Sequence, residues 1–147
     1  MLSIFRAAGS ALTAQRLRMD VVSSNLANAE ATSTPEGGPY KRERVVFAPL
    51  LRSSFNALKK TSDAVANGEL AGGVEVKQIV EDDSDPRLVF DPSHPDADED
   101  GYVAYPNVDL MTEMTDMLSA SRAYEANITV VNVAKSMAQR ALEIGRG

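Results

Sequence analysis

From Val108 to Ile144 the chain contains neither glycine nor proline. No other feature restricts its possible folds so strongly. Alternate steps of four and three residues visit Leu110, Met114, Met117, Ser121, Tyr124, Ile128, Val131, Lys135, Ala138 and Leu142, and eight of these ten positions are apolar or aromatic. That is the a/d stripe of a helix that packs along another helix. Asn107 is placed to cap it, with Asp109 in the first turn facing the positive end of the helix dipole. A helix of about 36 residues extends about 54 Å, too long to be enclosed by a 147-residue globule. Lengths above about 25 residues point to a coiled coil, a membrane span or a helical array.

The amino end supplies a partner. Phe5, Leu12, Met19 and Leu26 recur every seven residues, with Ala8, Gln15, Val22 and Ala29 three residues after each. The expected helix runs about 26 residues, roughly 39 Å. It weakens at Ser23, Ser24, Asn25 and Asn28, which compete for backbone hydrogen bonds, and Thr34-Pro35 stops any remaining pattern. Arg6, Gln15, Arg16, Arg18 and Asp20 interrupt any apolar run of the secretory-signal kind. Nowhere is there an apolar stretch long enough for a membrane span.

Between the helices, Arg44–Phe47, Val74–Val80, Arg87–Phe90 and Tyr102–Tyr105 are β-prone runs bounded by glycine, proline and aspartate. The second and third, joined by EDDSDP, read as a hairpin. Residues 48–73 read mostly as loop, because Pro49, Asn67-Gly68 and Gly72-Gly73 break their pattern. The Gly pairs 37–38 and 72–73 both look like turns. The fold class is therefore mainly α with a small β insert. A helix over 1–31 and a second over 108–147 pair as a coiled-coil-like stalk, and 32–107 forms the extended linker and strand region.

Composition narrows the function. The chain has no cysteine or tryptophan and one histidine, which removes disulfides, thiolate metal sites and cysteine nucleophiles. Residues 61–107 hold two basic and twelve acidic groups, a balance that argues against nucleic acid. The sharpest ligand motif is Asp96-Ala-Asp98-Glu-Asp100-Gly101, which matches the first half of an EF-hand loop. Its twelfth position is Asn107, where a bidentate glutamate is needed, so it reads as an acidic turn. His94, in DPSHPD, reads as a solvated loop histidine. No catalytic or cofactor-binding motif is present, and the expectation is a non-enzyme without cofactor or metal. Wide apolar stripes on both helices favour self-association over a lone two-helix stalk.

Two segments carry a resemblance. Ser23–Pro35 (SSNLANAEATSTP), directly after a heptad helix, is similar to the signature of bacterial flagellar rod and hook proteins, close to S-x-N-x-A-N-x-x-T-x-G-[YF]. Asn25, Ala27 and Asn28 match; the glycine is displaced, and Tyr40 stands for the aromatic. The segment SASRAYEANITVVNVAKSMAQRALEIGR resembles the same family's terminal helix through Arg122, Tyr124, Glu125, Ala126 and Asn127. RVVF, GVEV and DPSHPDADEDGYVAYPNV resemble its proximal-rod members.

The resemblance implies an axial subunit exported through the flagellar type III apparatus without signal cleavage. It would assemble in the periplasm with other rod subunits and with itself, on the base of the basal body, to form a drive shaft. Termini that order only on assembly are a further expectation. The residues marked for assembly are Phe5, Leu12, Met19 and Leu26 on one helix, and Met114, Met117, Tyr124, Ile128, Val131 and Leu142 on the other. Asn25, Asn28, Arg122, Glu125 and Asn127 are the polar family positions. A coiled-coil adaptor, another type III-secreted structural component and a weak Ca²⁺-binding module remain as alternatives.

Overall fold

A computed structural model describes residues 2–51 and 70–145. The elements are α1 (Leu2–Ala27), β1 (Glu43–Leu51), β2 (Leu70–Glu81), β3 (Arg87–Phe90), β4 (Tyr102–Tyr105) and α2 (Leu110–Ile144). The structure is two long helices with a small β insert between them, as the punctuation of the sequence implies. Arg18 meets Asp116 and Asn25 meets Glu113, so the two helices run antiparallel. α1 also packs on β1 and β2 and is therefore covered on two sides.

Four sequence expectations are corrected. The run Val74–Val80 pairs with β1, not with Arg87–Phe90: β1 and β2 are antiparallel from Glu43↔Glu81 to Leu51↔Leu70, while β3 pairs with β4 from Arg87↔Tyr105 to Phe90↔Tyr102. Asp82 continues the β1 pairing by donating its N–H to the Arg42 carbonyl, and this holds EDDSDP as a crossing between two sheets. Residues 48–51 and 70–73 are strand rather than loop. Pro49 lies beside a register irregularity in β1, where its missing N–H is tolerated; residues 52–69 lie outside the described range. Gly73 is in β2 rather than a turn, because a Cβ there would stand 2.9 Å from Ser10 Oγ. That same hydroxyl accepts from the Val74 N–H at 3.1 Å, locking α1 to β2.

The helix cap is the fourth. α2 is capped by Asp109, not Asn107: the Asp109 carboxylate accepts from the Met111 N–H and the Thr112 hydroxyl. Pro106 and Val108 lead in as extended chain, placing the cap two residues later than the composition indicates.

The centre of the fold is a polar knot. Asn25 and Glu113 are each 1% exposed. Asn25 uses all its hydrogen-bonding capacity, donating to the Glu43 carbonyl (2.9 Å) and Glu113 Oε2 (3.0 Å). Its Oδ1 accepts from the Tyr40 hydroxyl (3.0 Å) and the Glu43 N–H (2.9 Å). Arg42 closes the other side, its Nε standing 2.6 Å from Glu113 Oε1. Burial pushes the Tyr40 phenol above its ordinary range, so it stays protonated and able to donate. The linker reaches this point through a tight loop at Gly37 and Gly38, both at positive φ, which lets Tyr40 N–H return to the Ala31 carbonyl. Four segments thus converge on one polar knot: the end of α1, the linker, the start of β1 and the start of α2.

Two outcomes follow. Arg42→Ala should destabilise the chain by about 3–5 kcal/mol, since it leaves Glu113 charged, buried and unpaired. Glu113→Gln should cost less, because the Arg42 side chain is 20% exposed and reaches water. Urea unfolding of both variants checks the order. The second concerns the cap. Hydrogen bonds from Thr112 and Met111 hold the Asp109 carboxyl below the usual carboxylate range. A depressed folded pKa gives stability present above about pH 4 that is lost as pH falls through the folded value. Acid titration followed by far-UV circular dichroism should show helix loss in this window, and Asp109→Asn should flatten that part of the curve.

Candidate assembly interface

α2 has two differently composed faces. The residues it buries against the rest of the chain are Glu113, Ala120 and Ala134, with Asn127 half-buried between the last two. These positions lie seven residues apart. Met117, Tyr124, Val131 and Ala138 flank them and are half-buried. The seam inside the subunit is thus built from Glu113, Ala120, Asn127 and Ala134 rather than Met114, Ser121, Ile128 and Lys135. It is one residue out of phase with half of the expected stripe. Small side chains let the helices approach closely, and Glu113 reaches across to the polar knot.

The large apolar side chains point elsewhere. Leu110, Met111, Met114, Leu118, Ile128, Val130, Val133, Met137, Leu142 and Ile144 are exposed, with Leu118 at 60% and Leu142 at 70%. Met114, Ile128 and Leu142, expected on the seam, belong to this outer face. Met117, Tyr124 and Val131 lie between the two faces.

On α1 the expected row Phe5, Leu12, Met19 and Leu26 is half-buried. The fully buried positions of the helix are Ala8, Ala14, Val21, Val22 and Asn25, with Ala29 just beyond its end. Contact with both α2 and the β1–β2 pair turns the small residues inward and leaves the larger ones at the margins.

The family positions acquire physical roles. Asn25 is the hub of the knot. Asn28 finishes α1: its side chain donates to the Ser24 carbonyl at 2.9 Å and its own N–H goes to the same oxygen. These bonds satisfy the last turn of the helix, which carries no basic residue. Asn127 donates to the Ala123 carbonyl at 2.8 Å, within its own helix. Arg122 and Glu125 are exposed, and among the described residues neither has an ion pair. Sequence reasoning missed Glu113 and Arg42 because a charged residue is read as solvated. The available signal was the seven-residue row Glu113, Ala120, Asn127, Ala134.

The β3–β4 hairpin carries the acidic motif. Asp98 does not face a cavity: its carboxylate accepts from the Asp100 and Tyr102 N–H groups at 3.0 and 2.8 Å. Asp91 is occupied by Ser93 in the same way. Gly101 closes the loop at φ 81°, where a Cβ would stand 3.1 Å from both Phe90 and Pro92. Among the described residues no group of three or more Asp, Glu or His side chains is placed to hold a metal ion. His94 accepts the Asp96 N–H through Nδ1 and packs edge-on near Tyr105.

A cleft of about 250 Å³ beside the knot is lined by Arg18, Arg42, Arg44, Glu113 and Asp116 among others. Its arginines already face carboxylates: Asp116, Glu113 and Asp82. No described helix is long and apolar enough to cross a membrane.

Residues 5–33 match the family described as flagella basal body rod protein, and residues 99–144 match the flagellar basal body rod FlgEFG protein C-terminal family. The two matched stretches are the ones that meet at Asn25 and Glu113. The flagellar basal-body rod protein FlgC of Borreliella burgdorferi is 48% identical, over 100% of this chain and 99% of its own length. The FlgC proteins of Bacillus subtilis and Escherichia coli O6:H1 are 49% and 44% identical, covering 93% and 99% of this chain and 93% and 98% of theirs. A chain with this identity along its whole length, and with both terminal signatures joined in one polar knot, belongs to the flagellar basal-body rod protein FlgC family.

Proposed function

We propose that the chain is a structural subunit of the proximal rod of the flagellar basal body. It assembles through its terminal helices, with itself and with other rod subunits, into the helical drive shaft that transmits torque for motility. The observation that carries this reading is the outer face of α2, where ten large apolar side chains of a 35-residue helix are exposed. A monomer gains nothing from that arrangement, whereas an axial neighbour can bury it. The role is mechanical and uses no catalytic residue. The chain would reach its place in the periplasmic space through the flagellar export apparatus, without cleavage of a signal peptide, and would seat on the basal-body base. The absence of cysteine suits an oxidising compartment, where stray thiols crosslink.

The interface residues follow from the two faces. Met114, Ile128 and Leu142 contact neighbours directly. Phe5, Leu12, Met19, Leu26, Met117, Tyr124 and Val131 sit at the margins where subunit and neighbour share a boundary. Arg122 and Glu125 supply polar contacts across it. Asn25, Asn28 and Asn127 act inside the subunit, holding the helices in the geometry that a neighbour meets. The segments 1–31, 32–107 and 108–147 act respectively as first axial helix, insert and second axial helix.

Met114→Glu and Ile128→Glu should leave the melting of the isolated chain within about 0.5 kcal/mol of the parent, as surface substitutions do, yet abolish rod assembly and motility. Removal of residues 138–147 should do the same with expression intact. Swimming assays and electron microscopy of purified basal bodies read the outcome. Normal motility in the truncated strain would sink the assignment.

A further inference from the structure

The two ends of the molecule are chemically opposite. At the end where α2 begins, residues 81–101 hold nine acidic groups against Arg87. On this hairpin Leu88, Phe90 and Tyr102 share one face and are all exposed, Leu88 and Phe90 at 63% each. Phe90 and Tyr102 stack edge to face, with centroids 5.3 Å apart, and together form a knob. Asp82, Asp91 and Asp98 are occupied by their own loops, Glu81 and Asp83 by Lys41, and Asp96 by the Thr32 hydroxyl. Asp85, Glu99 and Asp100 are not: among the described residues their carboxylates have no hydrogen-bond or ion-pair partner. The patch is an apolar knob with an acidic rim.

The far end, formed by residues 2–17 of α1 and 126–145 of α2, carries Arg6, Arg16, Lys135 and Arg140 against Glu143. A shallow groove of about 350 Å³ runs along α2 there, lined by Thr129, Asn132, Val133, Ser136, Met137 and Arg140. Its hydroxyls are spent inside the helix, since Thr129 donates to the Glu125 carbonyl and Ser136 to the Asn132 carbonyl. The groove therefore offers methyl and thioether surface beside the Asn132 amide, with Arg140 at its rim. Arg140 gives it the charge opposite to that of the hairpin's carboxylates.

Within one chain the two cannot meet. The 35 residues of α2 separate them, a distance of about 50 Å along a straight helix. We infer that the Phe90–Leu88 knob of one copy of this chain docks in the Val133–Met137 groove of a second copy, with Glu99 and Asp100 facing Arg140. The contact joins unlike surfaces and so continues from copy to copy, the geometry that generates open helical assemblies rather than closed dimers. It deepens the rod reading and rests on it, by assigning which faces two copies share. A few side chains cover far less than the roughly 800 Å² per partner of a stable pair. The contact is therefore weak between two free chains and gains strength by repetition in the assembly.

The chain's lack of cysteine permits a direct test. Full-length Leu88→Cys and Met137→Cys chains, both changed at exposed positions, are mixed and oxidised at low and high salt. The expected product is the mixed disulfide dimer, in several-fold excess over either self-dimer and reduced several-fold at 0.5 M NaCl, where screening is short-ranged. Charge reversal by Glu99→Lys and Asp100→Lys in the first chain should suppress it. Adding Arg140→Glu to the second should suppress the product with the unreversed first chain and restore it with the reversed one. Equal amounts of mixed and self-dimers, or a yield indifferent to salt and charge reversal, overturns the inference. The rod assignment is read separately: motility lost on truncation of 138–147 but unaffected by Leu88→Ser with Phe90→Ser would reject this contact and leave that assignment standing.

Discussion

Everything in the fold depends on one buried carboxylate. Glu113 sits at the start of α2 and is nearly inaccessible to water, a position tolerable only if its charge is fully answered. Arg42 supplies the opposite charge, and Asn25 supplies a hydrogen bond while tying itself to both backbone groups of Glu43. Asn25 thereby does for the strand entrance what a neighbouring strand would do. An apolar contact at this place would hold the helices together without fixing their register. A fully satisfied polar knot admits one arrangement, because a shift by a single residue strands a charge.

With that register fixed, α2 can divide its surface. Alanine and other small or polar residues face the subunit, while leucine, methionine and isoleucine face outward. Ordinary monomers do the reverse, since each large side chain fully buried contributes about 1.5–3 kcal/mol. In the proposed reading that contribution is held over for contacts between subunits. Stability of the single chain rests on the knot, the α1–β2 lock at Ser10 and the short strands. In the same reading, stability of the assembly rests on the outer stripe. A rotating shaft needs this division, because load must pass between subunits through surfaces at least as extensive as those within them.

Much of this was legible in the residues. The presence of both helices and the centres of all four strands follow from glycine, proline and apolar runs, which are local signals, whereas the cap of α2 and the extensions of β1 and β2 into 48–51 and 70–73 do not. Strand pairing was not local: β2 has two apolar neighbours in sequence, and its pairing with β1 is set by the ladder from Glu43↔Glu81 to Leu51↔Leu70 and by the packing of both strands on α1. The phase of the α2 seam was hidden for a different reason. Apolar residues surround much of the helix, so the largest side chains dominated the periodicity, and they mark the outer face. Ala120 and Ala134 carry little weight in such a reading, and Glu113 counts against burial. The roles of Asn25 and Asn28 were visible only as a motif, since their hydrogen bonds reach backbone groups up to 18 residues away.

The central claim is that the outward apolar face of α2 is covered by neighbouring subunits and not by the chain itself. It is tested most directly by a single cysteine at Leu118, in a motile strain, labelled with a maleimide both in the purified chain and in isolated basal bodies. The account predicts rapid labelling of the free chain and at least a tenfold slower reaction in the basal body. Equal rates in the two states would contradict it.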